Sequence, residues 1–367
     1  MREYDVIVVG AGPAGLGAAI ESAKAGAKTL LLDENDRPGG QLFKQIHKFF
    51  GSKEHHAGTR GFVIGQQLLE EAAQAGVEIQ LNTRVWGTFE DGTITATNEE
   101  KSERFRTKYL ILATGASENS LVFPGNTLPG VITAGAAQTM VNLRYVRPGK
   151  RAVVVGSGNV GLIVSYQLMQ AGMDVACIVE AAPKLSGYAV HAGKVRRAGV
   201  PILFSHTIAR AEGEDELERV VIAKVDEKFQ IIPGTEEVVE ADTLCLSVGL
   251  SPRIELASLC GCEMTFGGPL GRVPLHNEYL ETTCPNVLIA GDLSGIEEAS
   301  TALDEGRLAG TRAAFGLGKL SKEAAEKNEK VLMDRISSLR SGPFGERRQS
   351  IKEGIWAEYK RKEGAEV

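Results

Sequence analysis

The sequence contains no uninterrupted run of about 18 apolar residues, which excludes a membrane-spanning helix. It has no excess of positive charge either. Lys and Arg number 41 against 47 Asp and Glu, a net charge of −6. No basic field therefore points to nucleic acid or to an acidic membrane surface. Cysteine is scarce and odd in number: Cys177, Cys245, Cys260, Cys262 and Cys284 are scattered along the chain. Such thiols read as reduced and cytosolic, not as a disulfide framework. A charged-then-apolar leader is missing too, because "MREYDVIVVG" runs straight into a strand pattern. The expectation is a cytoplasmic protein. What the chain does have is glycine, 43 of 367 residues, within an ordinary balance of 43% hydrophobic and 24% charged residues. That length and balance suit two or three domains.

Many of those glycines fall in a repeat. Gly10, Gly12 and Gly15 recur as Gly156, Gly158 and Gly161, each 146 residues further on. At the same offset Leu16 meets Leu162, Ala25-Gly26 meets Ala171-Gly172, and Glu34 meets Glu180. Each copy opens with a β-branched run, "DVIVVG" or "AVVVG", which predicts a buried parallel strand. A helix then ends at the Ala-Gly pair, where glycine suits the left-handed position. A second strand follows, "TLLLDE" or "DVACIVE". Downstream, "YLILATG" (109–115) parallels "TLCLSVG" (243–249).

This is the strand–turn–helix context that a glycine motif needs before it means a dinucleotide site. The first glycine makes the turn and the second lets backbone approach a pyrophosphate. The third lets helix and strand pack, while the helix N-terminus offers N–H groups and a positive dipole end. In the first copy the motif residues are Gly10, Gly12, Pro13, Ala14 and Gly15, with Asp33 or Glu34 as ribose acceptor. In the second they are Gly156, Gly158, Asn159, Val160 and Gly161, with Glu180. Two dinucleotide sites are expected.

"GAGPAG" with Asp33 and Glu34, "ATG" at 113–115 and "NVLIAGD" at 286–292 together resemble the two-domain, thioredoxin-reductase-like flavoprotein reductases. The resemblance covers about residues 4–318. It implies an α/β fold of two Rossmann-like three-layer dinucleotide-binding domains, the FAD domain split around an inserted NAD domain. The expected boundaries are 1–115 and 275–318 for the FAD domain and 116–274 for the NAD(H) domain with its connections. A helical C-terminal arm, 319–367, lies outside the resemblance. Carried over residue by residue, FAD falls to the first turn with Gly40, Gln41, Val85, Ala113, Thr114, Gly115, Gly291 and Asp292. Asp292 would bind the ribityl chain. A late helix would start near Ala299, Ser300 and Thr301, with Ser300 or Thr301 as its N-cap, and point at the flavin. NAD(H) falls to the second turn, with Gly249 near the nicotinamide half. Glu180 favours NADH, because it repels a 2′-phosphate.

The resemblance also implies that residues 38–58 border the flavin, which makes Lys44, Gln45 and His47 candidate contacts. His55-His56 has no partner at metal-ligand spacing, so no metal is expected. The disulfide-reducing members carry a CxxC or Cx4C pair that this sequence lacks. Cys260-Gly-Cys262 reads as a surface or half-buried structural pair, and the chain is not expected to be a disulfide reductase. The segment Ala113–Gly161 is similar to α-type subunits of heteromeric amine and amino-acid dehydrogenases. Sarcosine oxidase, hydrogen cyanide synthase and the opine and proline dehydrogenases have such subunits. That likeness implies hydride transfer between NAD(H) and FAD beside a second flavoprotein or an iron–sulfur protein, with an oligomer left open. A stand-alone NADH-dependent ferredoxin or quinone reductase is one alternative. A non-catalytic subunit with structural dinucleotides is another. The arm carries Val331, Leu332, Ile336 and Leu339 on one stripe and Ile351, Ile355 and Tyr359 beside Trp356 on a second. "SGPFG" at 341–345 is expected to break the helix between them. Such a stripe usually packs on its own domain; the alternative reading is a surface that docks the partner.

Overall fold

The strand Arg2–Val9 lies between Thr29–Leu32 and Ser102–Leu112, parallel to both. The computed structural model in which it does so describes residues 1–364, side chains at 343 and 344 apart. Glu78–Gln80 extends the sheet at one end. The last part of the long strand Ser102–Leu112 pairs in parallel with Val287–Ile289, which returns from far along the chain. Its first part pairs antiparallel with Thr93–Thr97, which in turn pairs with Arg84–Thr88. Val6, Ile7, Val8, Leu30, Leu31 and Ile111 are fully buried, as near-continuous apolar strands covered on both faces must be.

The chain forms two compact units, residues 1–117 with 251–367, and residues 118–250. The second unit's sheet has the order Ile202–Phe204, Asp174–Glu180, Arg151–Val155, Thr243–Leu246 and Val131–Thr133, all parallel. Three antiparallel strands, His206–Glu212, Arg219–Lys224 and Glu237–Glu240, make a separate sheet. The two parallel sheets share one strand order. Their fifth strands come from opposite directions in sequence, one from after the inserted unit and one from before its glycine turn.

The insertion is shorter than the expected 116–274. Residues 251–274 pack on the first unit, where Ala257, Cys260 and Cys262 join Tyr4, Ile7 and Phe105 in one apolar cluster. The arm forms two helices, but the break between them is narrower than 341–345. Its helices run Lys322–Leu339 and Gly342–Glu363, and residues 341–345 begin the second helix. Leu332 and Ile336 join the first unit's core. Ile355 and Tyr359 bury against Val273 and Leu275, and the Tyr359 hydroxyl donates to the Thr282 carbonyl at 3.3 Å. The second apolar stripe thus packs within its own unit, the first of the two readings, and is not offered to a partner. Residues 365–367 of the arm lie outside the described residues.

Candidate functional site

In the first glycine turn, Gly10 has φ +104°, and a Cβ there would collide with the Ala113 carbonyl. A Cβ on Gly15 would collide with the Gly10 carbonyl. Gly12 is different. Its φ is −73° and a Cβ would meet nothing within 4 Å. Two glycines are demanded by the fold, and the middle one keeps space open above the N-terminus of the helix Pro13–Lys24. No side chain caps that helix, so its first-turn N–H groups stand toward the space, the arrangement a pyrophosphate needs. Gly40 closes one side, because a Cβ on it would lie 2.8 Å from the Gly12 Cα.

Asp33 and Glu34 separate in role. Asp33 accepts from the Ala11 N–H at 2.6 Å and, through its other oxygen, from the backbone and side chain of Asn35. It therefore faces the turn. Glu34 is held by Arg84 at 3.1 Å and Arg253 at 2.9 Å. Val85 is half-buried, Gln41 is exposed, and the Thr114 hydroxyl donates to the Arg253 carbonyl at 2.8 Å. Gly115 has φ +71° and its carbonyl accepts from the Arg253 N–H.

The second turn repeats this geometry. A Cβ on Gly156 (φ +97°) would strike the Ser247 carbonyl, one on Gly161 would strike the Gly156 carbonyl, and one on Gly158 would meet nothing within 4 Å. The helix Asn159–Gln170 again has no side-chain cap, and Val160 lies exposed in its first turn. The repeat reaches one loop further than sequence comparison carries it. Gly39 donates to the Ala11 carbonyl at 2.7 Å, and Gly187 to the Ser157 carbonyl at 2.9 Å. A two-residue difference in loop length hides this from a fixed 146-residue offset. Gly249 has φ +100° and accepts from the Asn119 N–H.

Glu180 is more occupied than the motif alone implies. One oxygen accepts from the Ser157 N–H, the Ser157 hydroxyl and the Ser186 hydroxyl, at 2.9, 2.6 and 3.0 Å. The other accepts only from the Ala182 N–H among the described residues. Burial opposes ionisation, yet these donors hold the carboxyl below the ordinary glutamate range. Acceptor capacity for a ribose hydroxyl remains on the second oxygen.

The returning strand Val287–Ile289 delivers Gly291 and Asp292. Gly291 has φ +70°, and a Cβ would press on Ala14 at 2.8 Å. Burial and the nearby Glu305, Glu297 and Glu298 push the Asp292 carboxyl up to about 6. Native Asp292 thus holds a proton between about pH 4 and 6 that the unfolded chain has lost, and stability falls as pH rises through that window. Asp292→Asn is expected to raise the melting temperature of the cofactor-free protein at pH 8. Below about pH 4, where both states carry the proton, it should change nothing. An equal shift at both pH values contradicts this.

The helix after that turn runs Ala299–Gly316, and its N-cap is Glu298, without a side-chain capping bond. Ser300 and Thr301 are not the cap. They sit inside the first turn, with the Ser300 hydroxyl directed at the His55 carbonyl at 3.5 Å. This helix lies close against Pro13–Lys24, because a Cβ on Gly306 or Gly310 would collide with the Ala14 or Ala18 carbonyl.

Lys44, Gln45 and His47 are half-buried, and His47 stacks on Phe49 at 6.0 Å. His55 is buried with Ser52 at 2.9 Å from Nδ1. No metal-binding group of His, Cys, Asp and Glu occurs among the described residues. Cys260 and Cys262 are fully buried, not at the surface, and burial raises their thiols to about 11 and about 12. The reading by motif missed Glu305, Arg340 and Lys352, all nearly or fully buried beside the Asp292 turn. A lysine in a charged helix reads as solvated, and nothing local signals otherwise.

The pyridine nucleotide-disulphide oxidoreductase family matches residues 4–306, and the chain belongs to it. The family is one of FAD- and NAD(P)-binding oxidoreductases. Hydrogen cyanide synthase subunit HcnB of Pseudomonas aeruginosa is 30% identical over 358 residues, 92% of this chain and 77% of that protein. The opine oxidase A subunit of Rhizobium meliloti is 31% identical over 343 residues, 87% and 72% of the two. Both relatives are named as subunits. Thioredoxin reductase of T. acidophilum shares the fold, with a TM-score of 0.72 at 21% identity over 86% of this chain and 99% of that one. No helix among the described residues is long and apolar enough to cross a membrane.

Proposed function

We propose that this family member passes a hydride between NAD(H) and FAD as the electron-transfer subunit of an amine or amino-acid dehydrogenase-type complex. The observation that carries the reading is the pair of cradles, each closed by two obligatory glycines and left open at Gly12 and Gly158. FAD supplies a two-electron centre that exchanges hydride with a nicotinamide. The first unit would hold it, with Pro13 and Ala14 at the helix start toward the pyrophosphate, Asp33 toward the ribose and Asp292 toward the ribityl hydroxyls. The uncapped first turn of Ala299–Gly316 would offer a positive dipole end, worth about 0.3–1 kcal/mol, to negative charge on a flavin bound there. The second unit would hold NAD(H), Glu180 accepting from a free 2′-hydroxyl.

Partnership rests on the subunit relatives. Cys260 and Cys262 lie buried in the apolar core, which favours an electron outlet on a partner, a second flavoprotein or an iron–sulfur protein.

Anaerobic titration of the full chain with NADH tests this. Rapid bleaching of the flavin band, a higher kcat/KM with NADH than with NADPH, and an unchanged rate in Cys260→Ala/Cys262→Ala are expected. No bleaching would make the dinucleotides structural. A rate lost with the two cysteines, in a folded variant, would restore a dithiol mechanism.

A further inference from the structure

Lys352 is fully buried, although it lies on the C-terminal arm beyond the family match. Its ammonium donates to the Ser294 carbonyl at 2.8 Å, the Ser294 hydroxyl at 2.6 Å and Glu305 at 3.3 Å, using all three donors. Glu305 in turn accepts from the Gly291 N–H at 3.0 Å and the Ser294 hydroxyl at 2.8 Å. Both ends of the turn Gly291–Ser294 are therefore tied to one buried network. Arg340, also from the arm, binds Glu297 through two nitrogens and Glu305 at 2.6 Å. Two cations balance two carboxylates. Asp292, in the middle of the turn, has no lysine or arginine partner among the described residues and accepts from the Glu297 N–H.

Burying an ammonium costs several kcal/mol unless every donor is used, so a buried lysine needs a task. Lys352 adds no apolar packing that a Leu or Met would not give. What it adds is directional: it fixes Ser294, and through Glu305 it fixes Gly291. We propose that Lys352 is a positioning residue for the flavin site, holding the Gly291–Ser294 turn so that Asp292 stays turned to a ribityl hydroxyl and not to an arm cation. The inference rests on the assignment of FAD to the first unit. It makes the arm part of the cofactor site.

The test uses the full-length chain freed of nucleotide, titrated separately with FAD and with ADP. Both titrations are made in a Gly158→Val background, which closes the second cradle, so ADP reads only the half of the flavin site built on Gly10, Gly12, Gly15 and Asp33. Lys352→Met should weaken FAD binding at least about tenfold, the effect of losing one hydrogen bond to a charged group. It should also shift the visible flavin band, and leave ADP affinity within about twofold. Should Lys352→Met fail to fold, Ser294→Ala removes one acceptor and is expected to show the same split, smaller. FAD affinity unchanged in either folded variant overturns the proposal. So does a parallel loss of FAD and ADP, which marks a general effect on the unit. A Gly158→Val chain with Lys352 intact that binds ADP but not FAD overturns the flavin assignment itself.

Discussion

A chain ending at Arg340 is expected not to fold to a stable first unit. The truncation removes Ile355 and Tyr359 from their contact with Val273 and Leu275, each burial worth about 1.5–3 kcal/mol. It also takes Lys352 from Glu305 and Glu297, and breaking a buried ionic group by removing one partner costs about 3–5 kcal/mol. The sum, on the order of 6–11 kcal/mol, rivals the whole stability of a typical domain, about 5–15 kcal/mol. Urea unfolding followed by circular dichroism checks this. A truncated chain with the native midpoint would return the arm to the role of a detachable docking element, which its sequence leaves open and its burial contradicts.

Gly12→Val is expected to abolish FAD binding while leaving the cofactor-free melting temperature nearly unchanged. The backbone at Gly12 is in an ordinary region, and a side chain meets no protein atom within 4 Å of Cβ. The new isopropyl group would occupy the space above the helix N-terminus, where only a ligand competes for it. Gly158→Val should do the same to NADH while sparing FAD. Gly15→Ala is the control with the opposite signature. Its Cβ strikes the Gly10 carbonyl, so fold and binding should fail together. Stoichiometric flavin in purified Gly12→Val, read from the visible spectrum, would remove FAD from this turn. Loss of folding in Gly12→Val would show that the open space belongs to the fold.

The contrast between these two experiments follows what the sequence could and could not express. A glycine turn is legible because its geometry is local: a β-branched run, a residue forced to positive φ and a helix packed on a carbonyl all lie within a few positions. The doubled motif therefore announced both cradles, and Asp33 with Glu180 at the ends of the second strands. Choosing Asp33 over Glu34 needed Arg84 and Arg253, which arrive from 50 and 219 residues away. The N-cap went wrong for a similar reason. Ser300 and Thr301 have the right chemistry for a cap, but close packing of Gly306 and Gly310 on Ala14 and Ala18 sets where the helix begins. Lys352 was beyond any local rule, because "SIKEGIWAEYKRK" is written like a solvated helix and buries its lysine only through residues 47 and 58 positions earlier.

The out-of-order fifth strand has a consequence for how the protein is made. Residues 118–250 are continuous, so the second unit has its whole sheet once they have left the ribosome. The first unit, begun earlier, still waits for Val287–Ile289, the helix Ala299–Gly316 and the arm. Synthesis at about 5–20 residues per second leaves its apolar strands unfinished for several seconds behind a completed neighbour. The half that starts first is thus finished last. Lys352 can close the Asp292 turn only after it has itself emerged, so a nascent chain stalled before that point would carry a formed second cradle and an open-ended first one.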